Sequence, residues 1–241
     1  MKLFVIGLGP GNQAQITPQA LQALAESQVI AGYTVYIDLI AHLIQQKEIL
    51  TTSMKQEIDR CRMAIEAAVS GKTVSMVCSG DAGVYGMAGL IYELSQDYPP
   101  IEIEVIPGIT AACSGAAVLG APLMHDFAVI SLSDLLTPWQ KIEARIHAAA
   151  QADFVICLYN PSSKKRHDYL EKACRIVLGY QSPNTMCGYV KSIGRDGQHA
   201  QILSLEQLTT TPVNMFTTVY IGNSQTKVIA GKLVTPRGYQ V

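Results

Sequence analysis

Thr73-Val74-Ser75-Met76-Val77-Cys78-Ser79-Gly80-Asp81-Ala82-Gly83-Val84-Tyr85-Gly86-Met87 decides the fold class of this chain. Residues 73–78 are a short apolar run that reads as a buried strand. Leu90-Ile91-Tyr92-Glu93-Leu94 follows with a helical pattern, which places a helix over residues 83–94. A glycine-rich bend at the carboxyl end of a strand, opening a helix, is where open α/β sheets bind ligands. Small residues there let a ligand approach the backbone, and amides at a helix start face its polar edge. Asp81 adds a fixed acceptor for hydroxyl or amino groups.

Outward from this stretch the chain alternates strands and helices. Strands are expected at 2–6, 28–30, 49–51, 73–78 and 101–106, and helices at 17–25, 37–44, 56–69 and 83–94. Thr17 is a candidate N-cap with Pro18 at the first helical position, and Gly71 ends the helix over 56–69. A second round follows Gly120-Ala121-Pro122, with strands at 127–132, 154–159, 186–190, 201–203 and 216–221. Its helices are expected at 139–150, with Thr137 as N-cap, and at 165–178. Strand–helix alternation with short connections predicts an α/β fold built on a parallel-rich sheet. Two α/β domains are expected, 1–120 and 121–241, with no low-complexity linker between them. An inter-domain cleft is then the favoured small-molecule site.

Composition narrows the function classes. With 49% hydrophobic residues in 241, a sizeable core is available. A net charge of −1 argues against wholesale nucleic-acid binding. No run approaches the ~18–20 continuous apolar residues of a membrane helix. Met1-Lys2-Leu3-Phe4-Val5-Ile6-Gly7 runs straight into a strand without secretory-signal features, so a cytoplasmic location is expected. The six cysteines are scattered, mostly in apolar runs, and form no Cys-x-x-Cys pair; reduced core thiols are the simplest reading. The five histidines lack metal-ligand spacing, so no protein-held metal is expected.

Gly7-Leu8-Gly9-Pro10-Gly11 follows the first strand. A dinucleotide fingerprint would need G-x-G-x-x-G, an immediate helix and an acid after the second strand. Here the spacing is G-x-G-x-G with Pro10 inside, and Ala31-Gly32-Tyr33 supplies no acid. A nicotinamide-dependent oxidoreductase stays as the alternative class. A plain tight turn competes with a loop built for close backbone approach.

Taken in order, Gly7-Leu8-Gly9-Pro10-Gly11, residues 79–87 and Pro107-Gly108-Ile109-Thr110-Ala111-Ala112 resemble the tetrapyrrole methyltransferase family. Further segments resemble its corrinoid branch: Gly32-Tyr33-Thr34-Val35-Tyr36-Ile37-Asp38, Ala82 after the Gly-Asp pair, residues 119–139, Leu158-Tyr159-Asn160-Pro161 and Ile193-Gly194-Arg195. The resemblance spans essentially the whole chain. It implies a homodimer using S-adenosylmethionine to methylate carbon 17 of a cobalamin-pathway tetrapyrrole (precorrin-3B or cobalt-factor III), coupled to ring contraction. A relative acting on another ring carbon is the near alternative.

The resemblance also implies site residues. Pro10, Gly80, Asp81, Val84, Tyr85, Thr110 and Ala111 would hold the donor from the first domain, and Tyr159, Asn160, Gly188 and Tyr189 from the second. Gly9 and Gly11 would face the substrate. Each residue also has an ordinary structural role open to it: Thr110 can cap a helix, Asp81 a turn, and Tyr159-Asn160-Pro161 can end a strand. An electron-rich ring carbon needs no strong base to attack a sulfonium methyl, so no conventional triad is expected. Ring contraction requires proton transfer and carbonyl polarisation. His125, Asp126 and Ser131 are the catalytic candidates, with Ser133 and Asp134 beside them. A domain-junction hydrogen bond competes with acid–base duty for His125 and Asp126. The anionic substrate, cobalt-loaded or metal-free, calls for cations: Lys164-Lys165-Arg166-His167 at a helix start, Lys191, and Arg195, whose guanidinium can engage two oxygens.

Overall fold

The computed structural model describes residues 1–163 and 165–240. They form two compact units, Met1–Ala111 and Ala112–Val241. The segment 112–120, assigned to the first domain on sequence, groups with the second unit. There Gly115 lies against Tyr220, and Leu119 against Gly188.

The first unit runs β1 (Lys2–Gly7), α1 (Pro18–Glu26), β2 (Val29–Tyr33), α2 (Thr34–Leu39), β3 (Glu48–Thr52), α3 (Glu57–Val69), β4 (Thr73–Cys78), α4 (Ala88–Ser95) and β5 (Glu102–Ile106). Its sheet has the order β3-β2-β4-β1-β5 with every pair parallel. Both faces are covered, which is why the strands read as continuous apolar runs. Along β1, Leu3 and Val5 join Ile65, Met76 and Ile91 in one core cluster. Phe4 and Ile6 join Leu24, Ile30 and Val77 in the other. The strand's period of two thus feeds two cores at once. As expected, Thr17 caps α1, its hydroxyl accepting from the Ala20 amide at 3.1 Å, with Pro18 in the first turn. At the other end Lys47 Nζ donates to the Ala25 and Ser27 carbonyls at 2.9 and 2.6 Å, meeting acceptors that a helix terminus leaves open.

The second unit comprises α5 (Ala111–Leu119, its first residue at the boundary), β6 (Gly120–Ala121), β7 (Phe127–Ser131), α6 (Trp139–Gln151), β8 (Val155–Tyr159), α7 (Tyr169–Leu178), β9 (Met186–Lys191), β10 (His199–Ser204), α8 (Leu205–Leu208), β11 (Thr217–Ile221), β12 (Lys227–Ile229) and β13 (Lys232–Val234). The main sheet has the order β10-β9-β11-β8-β7, and a small sheet has the order β12-β13-β6. Ile142 and Ile146 of α6 and Leu170 and Cys174 of α7 pack with Ile156 and Leu158 of β8. Tyr220 on β11 is fully buried and donates its hydroxyl to the Ala112 carbonyl at 2.9 Å. Burial pushes its phenol well above the usual range.

Several sequence expectations need correction. The parallel-rich pattern describes the first sheet, whereas in the second only β7–β8 is parallel and the other three pairings are antiparallel. The helix placed over 83–94 begins only at Ala88. A Cβ on Gly86 would overlap the Ala82 carbonyl, so this segment is a set of tight bends. The stretch 37–44 splits into α2 and a short 3-10 turn, Ala41–Leu43, broken at Ile40 (φ −115°, ψ 11°). The helix expected from 165 starts at Tyr169, because Ser163 and Arg166 exchange backbone bonds in a turn (3.3 and 3.0 Å). Pro138, not Thr137, holds the N-cap position of α6, with no side-chain cap bond.

Candidate functional site

β1 lies between β4 and β5, in register such that Gly7 pairs with Cys78 and Ile6 with Ile106. The three loops singled out on sequence therefore leave one level of one sheet at adjacent strand ends, where ligands bind in open α/β sheets. Their backbones interlock. The Leu8 amide donates to the Cys78 carbonyl at 2.9 Å, Gly9 to Gly80 at 3.0 Å, and Gly80 back to Gly9 at 2.7 Å. This reciprocal pair is a one-rung antiparallel bridge beyond a parallel sheet. Glycine is needed for space. A Cβ on Gly7 would lie 2.6 Å from the Gly108 nitrogen and 2.7 Å from the Gly80 oxygen. Gly80 is different: its neighbours stand 3.8 Å off, and its φ of +69° is what favours glycine.

Asp81 fastens this arrangement. One carboxylate oxygen, Oδ1, accepts from the Gly83 and Val84 amides at 2.8 and 3.1 Å. The other, Oδ2, accepts from the Gly108 amide at 2.9 Å. Beyond it Val84, Tyr85 and Ile109 expose apolar surface, and Tyr85 holds a left-handed backbone with φ 55°. Such a conformation costs about 1–3 kcal/mol outside glycine and clusters at ligand-binding segments. Thr110 and Ala111 are half-buried beside them, Pro10 is buried, and Gly11 is half-buried. Gly9 and Gly11 line a shallow depression together with Tyr36, Ile40 and Ser79.

In the second unit the expected donor residues divide. Tyr159 accepts from the Ala112 amide at 2.6 Å, so its hydroxyl caps the first turn of α5. Tyr189 is buried and donates to Gln201 Oε1 at 2.9 Å, its cross-strand partner. A Cβ on Gly188 would meet Leu119 at 2.9 Å, which gives that glycine a packing role. Asn160 is half-buried with φ 52°, and its amide donates to Ser131 Oγ at 3.0 Å. Ser131 and Asn160 thus meet at the carboxyl ends of the parallel pair β7 and β8 in the main sheet.

The catalytic candidates part in the same way. His125 and Asp126 lie exposed before β7. Asp126 gives its carbonyl to the Val155 amide at 3.2 Å. Ser131 also accepts from the Ser133 amide at 3.2 Å. Asp134 pairs with Arg166 at 3.0 Å and accepts from the Tyr169 hydroxyl at 2.7 Å. Those two donors, Tyr169 first, hold its carboxyl below the usual range, and the same contact raises the Tyr169 phenol. Arg166 Nη1 also reaches Ser133 Oγ at 3.2 Å. Sequence reasoning saw Arg166 only as one cation at a helix start. Its pairing with a carboxylate 32 residues away has no local signal.

Arg195 is half-buried in the loop after β9, with its guanidinium 6.0 Å from the Phe216 ring. Lys191 is exposed. Lys164 falls outside the described residues. Lys165 and His167 are exposed and precede α7 instead of opening it. Among the described residues no group of three or more His, Cys, Asp or Glu could hold a metal ion, and no helix is long and apolar enough to cross a membrane.

Comparison with known proteins assigns the family. A profile of the Tetrapyrrole (Corrin/Porphyrin) Methylases matches residues 2–209. The probable cobalt-factor III C(17)-methyltransferase of Salmonella typhimurium is 47% identical over 238 residues, 98% of this chain and 99% of that protein. The cobalt-factor III methyltransferase of Priestia megaterium is 48% identical over 244 residues, and there the chain spans 99% of itself but 45% of the longer relative. The precorrin-3B C(17)-methyltransferase of a Sinorhizobium species is 35% identical over 246 residues, 98% of this chain and 96% of that protein. Among solved structures, the methyltransferase CobJ superposes with a TM-score of 0.91 at 36% identity, covering 97% of this chain and 99% of that one. A uroporphyrin-III C-methyl transferase from Thermus thermophilus, complexed with S-adenyl homocysteine, shares the fold at a TM-score of 0.73 and 18% identity over 92% of each chain. With its three glycine loops on neighbouring strands, this chain belongs to the tetrapyrrole (corrin/porphyrin) methylases.

Proposed function

We propose that this chain is an S-adenosylmethionine-dependent C-methyltransferase that methylates carbon 17 of a cobalamin-pathway tetrapyrrole, precorrin-3B or cobalt-factor III, with contraction of the macrocycle. The convergence of the three glycine loops at the ends of β4, β1 and β5 carries this reading. The names of relatives matched over nearly the full chain support it. Family membership sets the nicotinamide alternative aside.

The residues fit a donor of this kind. The loops offer closely approachable backbone at Gly80, flanked by the exposed apolar side chains of Val84, Tyr85 and Ile109. Pro10, Thr110 and Ala111 complete the proposed donor set in the first unit, and Asn160 is the strongest candidate in the second. When bound, the donor supplies an electrophilic methyl group on a sulfonium. The protein's part is then alignment, which contributes ~7–11 kcal/mol in favourable cases. Gly9, Gly11, Lys164 and Arg195 are the proposed substrate contacts, and any cobalt belongs to the substrate. For contraction, exposed His125 is the proposed proton carrier, with Asp126 beside it. Ser131, held by Asn160, is the proposed hydrogen-bond partner of a developing oxyanion. Asp134, held by Tyr169 and Arg166 with its carboxyl below the usual range, is proposed to steady the Arg166 side of this loop. A homodimer in the cytoplasm completes the proposal.

Titration calorimetry with S-adenosylmethionine and with NAD, followed by mass spectrometry of products from cobalt-loaded and metal-free substrates, tests it. Donor uptake with transfer of one methyl group and a contracted ring is expected. Tight NAD binding without donor uptake would refute the proposal.

A further inference from the structure

Asp81 stands in the donor set by resemblance, yet its carboxylate is turned onto the protein's own backbone. Two oxygens provide about four acceptor sites. Three amides occupy them: Gly83 and Val84 on Oδ1, and Gly108 on Oδ2. The first two bonds shape the loop after β4. The third crosses 27 residues of sequence and joins that loop to the one after β5. The joined segments carry Val84 and Tyr85 on one side and Ile109 and Thr110 on the other, all within three residues of an amide that Asp81 holds. Gly108 is backed by Gly7 and Gly80 with no room for a Cβ, so this tie locates the loop closely.

We propose that Asp81 is a positioning residue: it keeps the loops after β4 and β5 together in the donor-binding arrangement and does not itself contact the donor. This rests on the methyltransferase reading above. Without the tie, the free protein samples arrangements in which the second loop has left the first. Apparent affinity then falls with the fraction of molecules still competent. Saturating donor restores the competent arrangement, so turnover at saturation is retained.

Asp81→Asn isolates the tie. Its single amide oxygen can still accept from Gly83 and Val84, while its NH₂ presents a donor to the Gly108 amide, donor against donor. Calorimetry with S-adenosylmethionine, S-adenosylhomocysteine and analogues lacking a ribose hydroxyl or the amine is the first measurement. A positioning role predicts a weakening of about 10- to 100-fold, the worth of one charge-assisted hydrogen bond, and equal for every ligand. It also predicts a raised KM for donor with kcat retained. A loss that disappears for the analogue missing one group would show direct contact and overturn the proposal. Amide hydrogen exchange of the donor-free protein is the second measurement. Faster exchange at Gly108, Ile109 and Thr110 in Asp81→Asn, restored to protection by donor, is expected; unchanged exchange at Gly108 would equally overturn it. A wild-type protein that binds no donor rejects the methyltransferase reading alone, and exchange at Gly108 then decides on Asp81.

Discussion

Gly108→Ala is the sharpest probe of the interlocked loops. Its added Cβ would overlap the Gly80 carbonyl oxygen and lie 2.5 Å from the Gly7 carbonyl oxygen, both rigid backbone. A shift of about 1 Å is the least that brings such contacts toward van der Waals distance. The bond from the Gly108 amide to Asp81, 2.9 Å in the native protein, would then stretch beyond hydrogen-bonding reach. Overpacking against fixed atoms costs about 1–3 kcal/mol, and a lost bond to a carboxylate about 1.5–3 kcal/mol. The sum is about 2.5–6 kcal/mol, a large part of a domain's stability. Urea unfolding followed by circular dichroism should show the midpoint falling by at least about 1 M. Two other glycines rank the cause. Gly80→Ala has room at 3.8 Å and only its φ of +69° to strain it, a penalty of about 1–2 kcal/mol. Gly89→Ala, in α4 with open space around it, should be neutral or stabilise by about 0.5–1 kcal/mol. A midpoint for Gly108→Ala no lower than that of Gly89→Ala would refute the packing argument.

Gly115→Ala should destabilise the second unit because its Cβ would overlap the Tyr220 hydroxyl. In a Tyr220→Phe background the same change should cost about 1 kcal/mol less, read as a coupling energy in a double-mutant cycle. Of the six cysteines, only Cys113 is exposed, so a colourimetric thiol reagent should titrate one group quickly in the native protein. The others should wait for unfolding, since burial pushes Cys78 up to about 11 and Cys61 and Cys187 up to about 12. Asp134, lowered by Tyr169 and Arg166, should stabilise the fold above the ordinary Asp value and lose that contribution as pH falls through its depressed folded value. The stability gap between wild type and Asp134→Asn should therefore be flat above about pH 5 and shrink in more acidic urea titrations; a gap that widens in acid would contradict the pairing.

The first unit was legible because its signals are local. A continuous apolar run marks each doubly covered strand, Thr17-Pro18 marks a helix start, and Gly7, Gly80 and Gly108 mark backbone that approaches backbone. What no local signal carries is that β4 inserts beside β1, the fact that turns three motifs into one site. Strand direction was equally hidden in the second unit. Alternation of strands and helices does not distinguish β9 running antiparallel to β11 from a parallel neighbour, and three-residue strands such as β12 and β13 are too short to show a period. The helix read from residue 165 starts only at Tyr169, and the Arg166 guanidinium ahead of it is held by Asp134, a partner distant in sequence. Asp81 and Tyr159 were picked out by family resemblance and by their place at strand ends. Their polar atoms turn inward to amides that sequence alone does not bring near.

The clasp between Gly9 and Gly80 is made of peptide groups alone, so it is blind to the side chains on either flank. Leu8 is held by the core and Pro10 and Val84 by the proposed donor set, but the peptide clasp itself makes no demand on any side chain. The chassis can therefore keep its shape while residues farther out in the loops diverge, and the two glycines are the fixed points around which such tinkering proceeds.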